Sequence, residues 1–136
     1  MHHLGFNHLA IFVSAILQWL LGAIWYSPAL FAKPWMAMVG IHKDAANKKT
    51  MIAGMIMSFV GSLVTSFILV HLVLWSGAST YGSGAFIGFI AWAGFIAAPL
   101  VASYIYENRP FKLFAINTGY WLVCLVASGI LLAVWR

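Results

Sequence analysis

Nine of the 136 residues carry a formal charge, and eight of those nine fall in two short windows. Lys33, Lys43, Asp44, Lys48 and Lys49 make the first window; Glu107, Arg109 and Lys112 make the second; Arg136 stands apart at the end of the sequence. A water-soluble domain carries roughly 25% charged residues. This chain carries 7%, against 64% apolar residues, so no water-facing surface can be built from it and its solvent is lipid. A membrane-crossing helix needs about 20 apolar residues, because the hydrocarbon core is about 30 Å thick and each residue rises about 1.5 Å.

The uncharged stretches supply four such spans, predicted at 8–26, 51–75, 85–106 and 113–135. The expected fold class is all-α: a four-transmembrane-helix bundle filling a single integral membrane domain, with no room for a soluble catalytic module. The second span, roughly 37 Å long at 1.5 Å per residue, must tilt or protrude. Pro99 inside the third removes a backbone hydrogen bond and predicts a kink. Four spans put the 1–2 and 3–4 connections on one side, and six of the seven Lys and Arg residues lie there. The positive-inside rule makes that side cytoplasmic and turns both termini outward. The expected location is a bacterial cytoplasmic membrane.

The net charge of +5 does not indicate nucleic acid, since the basic residues are few and flank hydrophobic spans as topology signals do. The lone Cys124 allows no internal disulfide. The first connection is too apolar for a plain loop. Ser27 and Pro28 read as an N-cap with Pro at the first helical position, Lys33-Pro34 as an interruption and Gly40 as a stop. A short helix lying in the membrane interface fits this segment, with Trp35 at headgroup depth. Asp44 is placed to cap the second span.

The segment GAIWYSPALFAKPWMAMVG, residues 22–40, resembles the signature of a family of small four-helix membrane proteins catalogued as domain of unknown function 1761. The likeness continues through GAFIGFIAWAGFIAAP, residues 84–99, and YENRPFKLFAINTGYWLV, residues 106–123. The Trp25–Pro28 run is its most specific part. The family pattern favours Gly where this chain has Ala32 and Asn108. The resemblance implies four helices and no particular activity.

Two faces of small residues invite close helix approach, which drives association in lipid. Gly54, Ser58, Gly61 and Thr65 share one face of the second span; Gly84, Gly88, Ala91, Ala98 and Ala102 share one face of the third. One stripe can pack the bundle while the other serves a homo-oligomer seam. Polar residues also line up. His8, Ala15, Gln18 and Gly22 share a face of the first span, and Asn117, Tyr120, Cys124 and Ser128 share a face of the fourth. These faces read either as interhelical hydrogen bonding or as the lining of a small-ligand cavity.

A candidate cytoplasmic-side site gathers Trp25, Tyr26, Pro28, Trp35, Glu107, Arg109, Asn117 and Tyr120. His8 and His71, with His2 and His3, are weak candidates for a metal or haem, because no pair has an i, i+4 ligand spacing and no carboxylate is near to orient them. No cofactor is expected. No charge lies within a predicted span, where an ion-coupled pump usually places a carboxylate. The leading expectation is therefore a non-enzymatic membrane protein whose partners are the lipid bilayer and either itself or another membrane protein. A small-molecule transporter or channel is the alternative.

Overall fold

The computed structural model describes residues 7–27, 29–39 and 48–135. Among these residues there is no strand, and four helices are long and apolar enough to cross a membrane. Helix α1 spans His8–Trp25, short α2 spans Ala32–Val39, and α3 spans Lys48–Ser76. The third crossing is a composite of α4 (Tyr81–Trp92), a π-helical turn at Ala93–Ala97 and α5 (Ala98–Tyr106), and α6 (Phe111–Val134) completes the bundle.

The helix ends follow from local chemistry. Asn7 caps α1, its Oδ1 accepting from the Ala10 N–H at 3.1 Å. Gly77, with φ of 75°, terminates α3: its N–H bonds the Leu74 carbonyl and the Ala78 N–H bonds the Val73 carbonyl. That pair of bonds is a Schellman stop, and buried Ala78 packs in the same core cluster as Val73. Thr80 and Ser83 then form a reciprocal capping box that starts α4 at Tyr81, four residues ahead of the predicted 85. The α5–α6 turn repeats the Schellman stop at Asn108, with φ of 54°, where Asn108 N–H bonds Ile105 O and Arg109 N–H bonds Tyr104 O. Glycine adopts that left-handed backbone freely, and asparagine is among the few other residues that visit it.

The first connection departs from its expected form. Ser27 starts no helix; its Oγ donates to Ile24 O at 2.6 Å and so finishes α1. Lys33-Pro34 does not interrupt α2 but lies in its first turn, where the missing proline N–H would have had no intrahelical partner anyway. Pro28, Gly40, Lys43, Asp44, His2, His3 and Arg136 lie outside the described residues.

The bundle is layered along its axis. At the end holding the α3–α4 turn, Ala10, Ile11, Leu69, Val70, Val73, Ala78, Leu125, Leu132 and Ala133 form the apolar core. The middle is polar, and the opposite end is aromatic. Helix α4 lies closest to α6. A Cβ on Gly84 would strike the Gly129 backbone, and one on Gly88 would strike the backbone of Leu125 and Val126. In lipid, where burial between helices gains little, such backbone proximity supplies the packing attraction.

Candidate functional site

The polar layer is built around Gln18. Ser14 and Gln18, one turn apart on α1, are both fully buried, as are Ser66 on α3 and Ser128 on α6. Gln18 Nε2 donates to Ser66 Oγ at 2.9 Å and to Ser128 Oγ at 3.0 Å, while the Ser14 and Ser66 hydroxyls lie 2.9 Å apart. One carboxamide therefore ties three helices together. Hydrocarbon offers no alternative partners, so these groups turn inward to one another. The Tyr120 hydroxyl adds a bond to the Gln18 carbonyl at 2.9 Å. It reaches that carbonyl past Gly22, where a Cβ would sit 2.9 Å from the hydroxyl oxygen. Gln18 Oε1 is buried with no hydrogen-bond partner among the described residues.

The aromatic layer joins the end of α1 to the α5–α6 turn. The Tyr26 hydroxyl donates to Asn117 Oδ1 at 2.8 Å, and Asn117 Nδ2 donates to the Tyr104 hydroxyl at 2.9 Å. Arg109 lies over the Tyr104 ring at 4.1 Å and approaches Glu107 Oε1 at 3.5 Å. Trp25 Nε1 donates to Ile116 O at 2.9 Å, and its ring meets Gly119, the one position on that face without a side chain. Trp35 packs edge-on against Tyr26 at 5.3 Å and so docks α2 onto the bundle, while Tyr120 meets Tyr26 at 5.7 Å. Burial, with smaller contributions from Tyr104 and Cys124, pushes the Tyr26 phenol up to about 12, so it remains a neutral donor.

Seven of the eight residues expected at the cytoplasmic-side site thus lie in one continuous set of contacts; Pro28 is the eighth. Sequence reasoning left out Tyr104, which joins Asn117 to Arg109, and Ser14 and Ser66, which complete the Gln18 cluster. The signal for Ser66 was present: Ser62, Ser66, Leu69 and Val73 repeat at spacings of four, three and four, and all four are buried. That inward face lies about 100° around α3 from Gly54, Ser58 and Gly61. Those three residues are exposed, Thr65 is half-buried, and Gly54 and Gly61 have open space around them.

On α4, Gly84, Gly88 and Ala91 are buried, but Ala98 and Ala102 are exposed. The π turn between them interrupts the regular helix, and from 93 to 103 no residue on any face is buried, so the crossing has left the packed seam. His8 is exposed on α1; His71 sits between the rings of Phe67 and Trp75 on α3, with Nδ1 at 2.7 Å from Phe67 O. Among the described residues no three His, Cys, Asp or Glu side chains converge to hold a metal.

No curated protein and no solved structure matches the chain. The family model described as protein of unknown function (DUF1761) matches residues 9–133, covering all four spans almost end to end, and the chain belongs to that family.

Proposed function

We propose that this is a non-enzymatic integral membrane protein that acts through helix–helix contacts, as a homo-oligomer or an accessory subunit of a membrane complex. The observation that carries this reading is the amino-terminal half of α3. Every residue from Met51 to Ser58 is exposed, whichever way it points. At roughly 44 Å for 29 residues, α3 outruns the 18-residue α1 beside it, so its amino-terminal half is thinly covered among the described residues, Trp19 reaching it through a 3.2 Å bond to the Met55 carbonyl. The exposed face of this half carries the small-residue stripe Gly54, Ser58 and Gly61, the composition that lets a second helix approach closely.

The transporter or channel reading receives less support. The polar faces of α1 and α6, which would have to line a path, are spent on each other through Gln18, Tyr120 and Ser128. Native mass spectrometry in mild detergent tests the assembly reading. An oligomer or a co-purifying subunit is expected, and Gly61→Leu should reduce it at least tenfold while the monomer's helicity is unchanged, because a Cβ at 61 meets nothing within 4 Å among the described residues. A solitary monomer would sink the reading.

A further inference from the structure

The third crossing leaves α6 partway along. Trp92, the last residue of α4, is anchored: its Nε1 donates to Thr118 O at 2.7 Å. The next buried residue is Tyr104, whose hydroxyl accepts from Asn117. From 93 to 103 no residue is buried. Trp92 reaches forward and Tyr104 reaches back to adjacent residues of α6, Thr118 and Asn117. Between them Ile96 still packs against the apolar core, and the helix beyond it stands off.

That free stretch begins with an irregularity. The Ala98 N–H reaches back five residues to Ala93 O, and Pro99 has no N–H to offer the next carbonyl. π turns and prolines are where helices bend, because the i to i−4 ladder that resists bending is interrupted there. Beyond it, Tyr104 is the one buried residue of α5. The segment therefore has a fixed end at Trp92, a weak point at Ala93–Ala97 where Ile96 still touches the apolar core, and a far end held to α6 by Tyr104 and by the hydrogen-bonded Glu107–Pro110 turn.

We propose that α5 is a hinged flap, pivoting at Ala93–Ala97 and latched over the aromatic end of the bundle by the Tyr104–Asn117–Tyr26 hydrogen-bond chain. With the latch closed, Asn117 is shared between two phenols and Tyr104 seals against Phe114, edge-on at 5.3 Å. Release lets α5 bow outward between the Ala93–Ala97 pivot and the Glu107–Pro110 turn and lifts Tyr104 off Asn117 and Phe114. It uncovers Asn117 and Tyr26, and behind them Tyr120, whose hydroxyl is bonded to the Gln18 backbone. The flap thus controls access from the charged end of the bundle to its polar middle. It belongs to the single chain and stands whether or not the protein assembles.

Pulsed electron spin resonance on the full chain in liposomes tests the flap. Doubly labelled protein is diluted with unlabelled protein so that distances within one chain are read. One label pair joins α5 to α6 through Ile105→Cys and Val123→Cys; the control pair joins α4 to α6 through Phe86→Cys and Val123→Cys. All three sites are exposed, whereas Cys124 is fully buried. Tyr104→Phe removes the latch bond but keeps the ring and its contacts with Arg109 and Phe114, so the fold is not at stake. It should raise the population of a longer 105–123 distance about three- to fivefold, the effect of one hydrogen bond of ordinary membrane strength. Asn117→Leu should raise it at least as much, and the 86–123 distance should stay put in both variants. An unchanged 105–123 distribution in both variants overturns the flap, as does a shift in the control pair of the same size, which would mean that the whole bundle loosens.

Discussion

Gln18 is the residue on which the middle of the bundle turns. Its two amide hydrogens reach Ser66 and Ser128, and its carbonyl receives Tyr120, so α1, α3 and α6 share one junction. Polar contacts between membrane helices contribute modestly, about 0.6 kcal/mol on average and up to about 1.7 kcal/mol, because the separated helices also find partners. Gln18→Leu keeps the side-chain bulk and removes both amide bonds. Ser66 retains Ser14 at 2.9 Å, while Ser128 loses its Gln18 donor. The variant should lose about 1–2 kcal/mol in reversible unfolding from bicelles. Adding Ser66→Ala should cost less than it does in the native chain, since the two residues share a bond. Unchanged stability in Gln18→Leu would show that the junction is held by packing alone.

At the scale of the element, α4 and α6 are joined by absence of side chain. A Cβ at Gly88 would lie 2.6 Å from the Leu125 carbonyl carbon and 2.8 Å from the Val126 Cα, and backbone atoms cannot step aside one at a time. Gly88→Ala must therefore push the helices apart, at a cost of about 2 kcal/mol or more, the range of overpacked interiors. Gly82, on the same helix, meets nothing within 4 Å. Gly82→Ala should be neutral or stabilise by up to about 1 kcal/mol through helix propensity. The contrast between the two, read in one unfolding assay, checks the α4–α6 seam; equal effects would refute it.

The two glycines also mark the limit of what could be read from sequence. The four spans were legible because lipid imposes length and composition on each crossing separately, and the Gly84/Gly88 face was legible because a helix turns by a constant angle. That constancy ends at Ala93–Ala97. A π turn leaves composition unchanged, and beyond it the crossing departs from α6, so Ala98 and Ala102 are exposed along with every residue from 98 to 102. At the candidate site, Trp25, Tyr26 and the Glu107 turn, which the sequence singles out by motif and charge, lie at one end of the bundle. The partners of Gln18 did not declare themselves in the same way. Ser128 is 110 residues distant, and a single sequence carries the polar character of each face but not which faces meet.

For the molecule as a whole, the contacts bring the ends of α1 and α5 together through Tyr26, Asn117, Tyr104 and Arg109, with α2 docked beside them through Trp35. The described basic residues Lys33, Lys48, Lys49, Arg109 and Lys112 therefore gather at one end of the bundle, and the uncharged Gly77–Thr80 turn lies at the other. Membrane insertion retains lysine- and arginine-bearing connections on the cytoplasmic side. The orientation expected from that rule puts the aromatic end, the flap and Glu107 toward the cytoplasm and the α3–α4 turn outside. Ser79 is exposed in that turn and Lys112 is exposed at the opposite end, while Cys124 is buried and silent to a membrane-impermeant maleimide. In intact cells Ser79→Cys should label at once, and Lys112→Cys should label only after the membrane is permeabilised. The opposite pattern would place the basic end outside. Any molecule admitted by the flap would then enter from the external face, and the charge distribution would have to be explained by a partner rather than by insertion.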